Sequence, residues 1–260
     1  MSFLADILKR KEEEVSARRT SLPERELLAR LADAPPVRSL HAALSPRGGP
    51  LRVIAEVKRA SPSLGVLRGD VDAAALALRY AEAGAAAISV LTDGPGFGGS
   101  LADLTAVRRV VPVPVLRKDF ILDRYQLLEA RAAGADAALL LVVALGRERT
   151  RALLDAAHEL GLEALVECHA PYEVDDALDA GARIVGINNR DLSTFHIDLA
   201  VSESLLPRLP EAVRGVAESG VKGVVEARRL REAGAANVLV GEALVKADDP
   251  GALLRALGAL

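Results

Sequence analysis

The sequence predicts an α/β fold, a single (β/α)8 TIM barrel with an N-terminal helical extension. In five places a helical stretch closes on a glycine and an apolar run follows almost at once, and glycine suits the left-handed residue that ends a helix. These glycines are Gly84, Gly134, Gly161, Gly181 and Gly234. The runs are apolar on both faces, as parallel strands covered by helices require. With the remaining units, eight β/α repeats in 260 residues match the length of such a barrel.

The strands are the Ala/Val/Leu/Ile runs between the helical stretches. We expect them at Arg52–Lys58, Ala86–Thr92, Val113–Phe120, Ala137–Val143, Glu163–His169, Ile184–Asn188, Arg214–Ser219 and Val238–Gly241. Helical patterns are expected, among others, at Val71–Glu82, Leu101–Val110, Arg124–Ala133, Glu148–Leu160 and Val224–Ala233. A doubly wound open sheet is the alternative, but no glycine-rich dinucleotide loop follows the first strand.

The first 50 residues belong to no repeat and form the extension. They are expected to contain two helices, Phe3–Arg19 and Pro23–Ala32, before a connection rich in Pro and Gly. No linker marks a second folded unit. We therefore expect residues 1–260 to form one domain, in which residues 1–50 cover one end of the barrel.

Composition and charge argue against several classes of function. The single cysteine rules out an internal disulfide and fits a reducing compartment. The N-terminal residues are charged throughout, unlike a signal peptide, and no apolar run approaches the roughly 20 residues of a membrane span. A net charge of -3 with scattered basic residues gives no footprint for nucleic acid or an anionic membrane. We expect a cytoplasmic protein without nucleic-acid or membrane partners, and a monomer, with oligomers left open.

The stretch VIAEVKRASPSLG, residues 53–65, begins like a buried strand and then carries charges. Side chains alternate along a strand, so Ile54, Glu56 and Lys58 share one face. Active sites of this barrel lie at the carboxyl ends of the strands, called here the mouth, where inward side chains converge. Glu56 and Lys58 are therefore expected to point into the mouth.

The same alternation brings polar groups from other strands to the mouth. The inward residues at the ends of the third, fifth, sixth and seventh strands are Lys118, Phe120, Glu167, His169, Asn188, Arg190, Glu218 and Gly220. Charged residues are almost never fully buried unless they are paired. Burying several lysines, glutamates and an asparagine at one mouth would be destabilising if they served packing alone. The group therefore predicts a catalytic site.

Each residue of this group also has a structural interpretation. Glu56 and Lys58 could form an ion pair that closes the barrel, and Lys118 could belong to a solvated strand end. Asn188 could lie in a turn. Cys168 and His169 lack the further ligands that a zinc site needs, so no metal and no cofactor is expected. His169 is interpreted as an incidental polar group at the rim.

Glycines after the last two strands predict a phosphate site. Ser219-Gly220 ends the seventh strand and Gly241-Glu242 the eighth. In many barrels the loops after these strands bind phosphate through backbone N–H groups, which glycine lets the ligand approach closely. Ser61, after the first strand, could add a hydroxyl to the same anion. A phosphorylated small molecule is the expected ligand.

Indole-3-glycerol phosphate synthase is the family that the chain resembles, on the ordered motifs AEVKRASPSLG, LTDGPGFGGSLADL, VLRKDFILDRYQLLEARAAGADAALLLV, ALVECH, VGINNRDLSTFHIDL, VAESGV and VLVGEALV. The resemblance runs from the helix FLADILKRKEEEV to the final helix, effectively the whole chain. It implies a carboxy-lyase of tryptophan biosynthesis. The substrate would be 1-(2-carboxyphenylamino)-1-deoxyribulose 5-phosphate, which loses carbon dioxide and water as the pyrrole ring closes.

The resemblance also implies roles at matching positions. Lys118 resembles the general acid that protonates the ketose oxygen, and Lys58 the lysine that meets the substrate carboxylate and is a candidate acid in dehydration. Glu167 resembles the base or cation stabiliser, and Glu56 the partner of Lys58. Contacts with substrate are implied for Asn188, Arg190, Glu218, Phe97 and Phe120, and contacts with phosphate for Ser61, Ser219, Gly220, Gly241 and Glu242.

One departure and two alternatives remain. The family often has a lysine within SPSKG, where this chain has Leu64. A barrel like phosphoribosylanthranilate isomerase would share the phosphate site, but its chemistry needs a Cys/Asp acid–base pair. The only cysteine, Cys168, is expected to point away from the barrel interior. A barrel that binds a sugar phosphate without catalysis would be expected to lack some lysines and glutamates of the mouth, and none is missing.

Overall fold

A closed barrel of parallel strands forms the centre of the computed structural model, which describes residues 3–61, 65–67, 69 and 71–260. The strands are β1 Arg52–Val57, β2 Ala60–Ser61, β3 Gly65–Val66, β4 Ala87–Leu91, β5 Val115–Lys118, β6 Ala137–Leu141, β7 Glu163–Cys168, β8 Ile184–Asn188, β9 Arg214–Glu218 and β10 Asn237–Val240. The barrel runs β1-β10-β9-β8-β7-β6-β5-β4, and β4 closes on β1. The predicted (β/α)8 barrel is confirmed, with β2 and β3 as an added antiparallel pair.

Helices alternate with the barrel strands. They are α1 Phe3–Ser21, α2 Glu24–Arg30, α3 Leu40–Ala43, α4 Ala73–Glu82, α5 Gly94–Phe97, α6 Leu101–Val110, α7 Arg124–Ala132, α8 Val142–Glu159, α9 Pro171–Asp179, α10 Ala200–Leu205, α11 Val224–Glu232, α12 Glu242–Lys246 and α13 Pro250–Gly258. The chain turns helical at Val142, so β6 is shorter than predicted, and Gly146 interrupts α8 with φ 66° and ψ 174°. Within the described part of the chain, no helix combines the length and apolar character needed to cross a bilayer.

The alternation of side chains along each strand divides the core in two. Apolar side chains inside the barrel form one cluster, which includes Ile54, Leu116, Leu165, Val216 and Leu239. Residues of the opposite parity, such as Val53 and Ala55, pack outward against the helices. The inward face of each strand therefore runs from apolar residues in the barrel to polar residues at the mouth.

The N-terminal extension contacts both ends of the barrel. Leu40 of α3 joins the apolar cluster inside the barrel, and the Ser45 backbone N–H donates to Asn237 at 2.8 Å. Phe3 and Lys11 of α1 lie at the opposite end, where Phe3 borders the mouth and Lys11 pairs with Asp93. The expectation from sequence placed this segment over one end only.

Candidate active site

The mouth opens into a cavity of about 690 Å³, a size typical of small-molecule sites. Its wall includes all the residues assigned to catalysis, substrate or phosphate, namely Glu56, Lys58, Ser61, Phe97, Lys118, Phe120, Glu167, Asn188, Arg190, Glu218, Ser219, Gly220, Gly241 and Glu242. His169, which the alternation of side chains also placed at the mouth, does not line the cavity. The wall thus joins the ends of β1, β5, β7, β8, β9 and β10 with the loops that follow them. The roles of these residues remain predictions, while their convergence on one cavity is an observation.

Lys118 lies at the centre of the ionic groups. Its Nζ is 2.6 Å from Oε2 of Glu167 and 2.9 Å from Oε2 of Glu218, so one ammonium joins three strands. The other oxygen of Glu167 accepts a hydrogen bond from the Asn188 amide at 2.8 Å. Oε1 of Glu218 is buried and has no hydrogen-bond partner among the described residues.

These contacts set the protonation of the cluster. Burial by itself would lower the pKa of Lys118, but Glu167, Glu218 and Glu56 outweigh it and raise the pKa above that of a free lysine. Burial raises the pKa of Glu167, whereas Lys118 and His169 bring it down to about 2. Burial and the nearby charge of Glu167 raise the pKa of Glu218 to about 8, against the attraction of Lys118. Lys118 therefore stays charged at neutral pH, while the pKa values of the two carboxyl groups that it bridges are shifted in opposite directions.

A second lysine stands apart from this cluster. Lys58 Nζ is 3.5 Å from Oε1 of Glu56 and 5.6 Å from the ring centroid of Phe97. The Phe97 and Phe120 rings lie 6.4 Å apart, tilted by 40°. This side of the cavity offers a cation next to two aromatic faces, which suits an aromatic carboxylate.

Two glycines leave space for carboxylates of the site. A Cβ at position 186 would clash with the carboxylate of Glu218, with the Cδ only 3.1 Å away. A Cβ at position 241 would lie 2.5 Å from Oε1 of Glu56. The sequence pointed to Gly241 as a phosphate residue, and to Gly186 only as an inward residue of the sixth strand. At both positions a larger residue would force the neighbouring carboxylate to move.

The loops after β8, β9 and β10 form a polar part of the wall. Ser219 has a φ of 63° and Gly220 a φ of 90°, so the backbone turns in the left-handed region at both residues. The carboxylate of Glu242 is 2.8 Å from Lys246 and 3.9 Å from Arg190. Those two cations offset a negative charge that would otherwise repel an anionic ligand. Leu64, where the sequence departs from the family, lies outside the described residues.

An ionic network that sequence analysis missed ties α1 to the mouth. Lys11 is 1% exposed, and its Nζ lies 2.7 Å from Asp93 and 3.1 Å from Asp119. Arg117 is as deeply buried and pairs with Asp119 at 3.1 Å. A signal was present, because Ile7, Lys11 and Val15 repeat every four residues and are the buried residues of α1. The charged surroundings of Lys11 hid that signal.

The groups at the end of β7 do not form a metal or thiol site. Cys168 is buried, does not line the cavity, and has a pKa that burial and nearby carboxylates raise. Its Sγ lies 3.3 Å from the backbone oxygen of Glu173, outside the barrel. Among the described residues, no three His, Cys, Asp or Glu side chains are grouped so that they could hold a metal. The isomerase-like alternative therefore lacks its cysteine at the mouth.

Comparison with known proteins agrees with this geometry. The family model described as indole-3-glycerol phosphate synthase matches residues 4–257. A protein of that name from Kineococcus radiotolerans is 49% identical, over 96% of this chain and 92% of the relative. Another of that name, from Micrococcus luteus, is 48% identical over 100% of this chain and 98% of the relative.

Solved structures support the fold. Thiamine phosphate pyrophosphorylase from Pyrococcus furiosus superposes with a TM-score of 0.63 at 15% identity, over 84% of this chain and 96% of that one. At so low an identity the likeness concerns the barrel alone.

Proposed function

The chain belongs to the indole-3-glycerol phosphate synthase family, and we propose that it converts 1-(2-carboxyphenylamino)-1-deoxyribulose 5-phosphate into indole-3-glycerol phosphate. One observation carries the proposal: the partly buried ammonium of Lys118 is held by the carboxyl groups of Glu167 and Glu218 on the wall of a cavity that also has an aromatic side. Ring closure with loss of carbon dioxide and water needs acids, a base and a place for an aromatic ring. The cavity supplies all three kinds of group.

Ring closure would use Lys118 as the acid. The aromatic carbon that bears the carboxylate attacks the ketose carbonyl carbon, and the carbonyl oxygen takes a proton from Lys118. Because the pKa of Lys118 is raised, the proton moves only to a strongly basic oxygen, such as the alkoxide that develops during attack. Departure of carbon dioxide then leaves its bonding electron pair in the ring and restores aromaticity.

Dehydration would use the remaining groups. The leaving hydroxyl needs a proton, and the carbon next to the nitrogen must lose one. Lys58 is the candidate acid because it lies beside the aromatic wall, where it also binds the substrate carboxylate. Glu167 is the base or the carboxylate that stabilises the developing cation. The pKa of Glu218 is raised and its carboxyl group lies 2.9 Å from Lys118, so in its protonated form it can return a proton to the lysine.

The phosphate of the substrate would bind at the loops after β1, β9 and β10. Ser61, Ser219, Gly220, Gly241 and Glu242 border that part of the cavity. Backbone N–H groups and hydroxyls bind phosphate without a fixed charge, and Arg190 and Lys246 balance Glu242. Inorganic sulfate is then expected to compete with the substrate, which inhibition kinetics would measure. Inhibition that does not weaken at high substrate concentration would contradict this assignment.

The setting of the reaction is also part of the proposal. The one cysteine is free and buried, which suits the reducing cytoplasm. Side chains from one chain supply both lysines, the carboxylates and the aromatic wall, so we propose a monomer. Light scattering at enzyme concentrations used for turnover would test this.

Turnover of the carboxyphenylamino substrate by the purified protein tests the function. The chain has no tryptophan, so indole fluorescence would rise over a low protein background. Activity is expected without added metal. A folded Lys118→Met variant serves as the inactive control. Binding of the substrate without turnover at high enzyme concentration would instead favour a barrel that binds a sugar phosphate without catalysis.

A further inference from the structure

His169 lies beside Glu167, and the proposed reaction does not use it. Its Nε2 is 3.4 Å from Oε1 of Glu167, and its Nδ1 is 3.4 Å from Oε2 of Glu173 on α9, both at ion-pair distance but without the geometry of a hydrogen bond. The His169 side chain is 15% exposed, and the two carboxylates are 2% exposed. The imidazole therefore lies between two buried carboxylates, and it does not border the cavity.

The charge on Glu173 shows which form of the imidazole fits. Glu173 accepts hydrogen bonds from the His169 backbone N–H at 2.7 Å and from the Tyr172 hydroxyl at 3.2 Å. No lysine or arginine in the described part of the chain pairs with Glu173. A buried carboxylate without a cation is strongly destabilising. The imidazolium form of His169 supplies that cation.

The other charged groups that face His169 favour the same form. Besides Glu167 on β7 and Glu173 on α9, they are Glu218 on β9 and Asp191 in the loop after β8. Burial lowers the pKa of His169, but Glu173, Glu167 and Glu218 together raise it above 6.5. Lys118 holds the other oxygen of Glu167. The charged groups that raise the pKa of His169 are therefore all carboxylates.

We propose that His169 is a positioning residue for Glu167: its imidazolium attracts Oε1, which also accepts the Asn188 hydrogen bond, while Lys118 holds Oε2. The inference rests on the proposed function, because it concerns the moment when Lys118 has given its proton to the substrate. At that moment Lys118 is neutral, and His169 is the cation that remains beside Glu167. Glu167 then keeps both its negative charge and its orientation for the following step.

The pH dependence of kcat distinguishes this role from a structural one. In His169→Gln, the amide preserves the packing and removes the charge. We expect kcat about tenfold below wild type at pH 6, one pKa unit of coupling, and a ratio that rises toward one as the pH passes the pKa of the native imidazole. KM is expected to be unchanged, because His169 does not border the cavity.

A second variant changes the pKa of His169 and leaves Glu167 in place. Glu173→Gln removes one carboxylate from the imidazole, so the pKa of His169 is expected to fall. The kcat of this variant should be close to that of the wild type at pH 6. As the pH rises, its kcat should decline earlier than the wild-type kcat, because its imidazole loses the proton at a lower pH. His158→Gln, an exposed histidine on α8, is the matched control and should leave the profile unchanged.

A spectroscopic measurement keeps the inference testable if a variant fails to fold or if the substrate is not turned over. The imidazole signals of the wild-type protein can be titrated by NMR, and His169 can be assigned by comparison with His169→Gln or by through-bond correlation. A pKa of His169 above 6.5 supports the inference even if the substrate is not turned over. The inference and the proposed function can therefore fail independently. A pKa at or below 6.5, or a kcat ratio that stays constant from pH 6 to pH 9, would overturn the inference.

Discussion

Gly241 leaves the space that the carboxylate of Glu56 occupies. A Cβ at position 241 would lie 2.5 Å from Oε1 of Glu56, closer than Cβ atoms approach other atoms in proteins, and 3.1 Å from its Cβ, which is a tight contact, so Glu56 would have to move. Glu56 in turn lies 3.5 Å from Lys58. The loop after β10 and the end of β1 are therefore in steric contact, in addition to their proposed binding of the same substrate.

The substitution Gly241→Ala is expected to lower kcat by about 10²-fold, since displacing Glu56 also displaces Lys58 and misplacements of about 1 Å are costly in an active site. Steady-state kinetics would measure kcat and KM. Gly258→Ala is the control, because a Cβ there meets nothing within 4 Å. A rise in KM alone would assign Gly241 to phosphate binding and not to the support of Glu56.

Replacing the two lysines one at a time separates their roles. Lys118→Ala is expected to lose about 10²–10⁴-fold in kcat with little change in KM, because an acid acts in the transition state. Lys58→Ala should lose kcat and also raise KM, because a group that binds the carboxylate acts in the ground state as well. Circular dichroism must first show that both variants are folded. Near-normal kcat in folded, saturated Lys118→Ala would assign the acid role elsewhere.

Stability should fall as pH rises because of Glu218. Its pKa rises from 4.5 to about 8 on folding, so between these values the folded protein binds more protons than the unfolded chain. The free energy of unfolding then decreases with pH, by at most about 1.4 kcal/mol per pH unit. Glu218→Gln is expected to reduce this decrease. Urea unfolding from pH 5 to pH 9 would measure both slopes, and equal slopes would show that Glu218 is ionised throughout.

Lys11 should contribute to stability through its buried carboxylates. In Lys11→Met, Asp93 and Asp119 lose a partner at 2.7 Å and 3.1 Å, and we expect a loss of about 3 kcal/mol. Lys9→Met, on the exposed face of α1, is the matched control and should change stability by less than about 0.5 kcal/mol. Similar denaturation midpoints for the two variants would show that Arg10 and Arg117 suffice for the two aspartates.

Local patterns in the sequence determined the fold and the direction of the site residues. Glycines that end helices and runs that are apolar on both faces predicted the barrel, and all eight predicted strands overlap those observed. The alternation of side chains correctly placed Glu56, Lys118, Glu167, Asn188 and Glu218 on the cavity. Both signals depend on neighbours along the chain, so they can be read without knowing how distant segments meet.

Only the tertiary structure decided the distances and the charges. Lys118 is 49 positions from Glu167 and 100 from Glu218, and their contacts depend on the register of strands around the closed barrel. The sequence could not predict whether the pKa of Lys118 is raised or lowered. Burial lowers it and nearby carboxylates raise it, and the balance depends on distances that only the fold sets. For the same reason His169, predicted as a rim residue, proved to lie between Glu167 and Glu173. Periodicity along the chain specifies which face a side chain takes, whereas electrostatic energy depends on separations in space that the chain sets only when it folds.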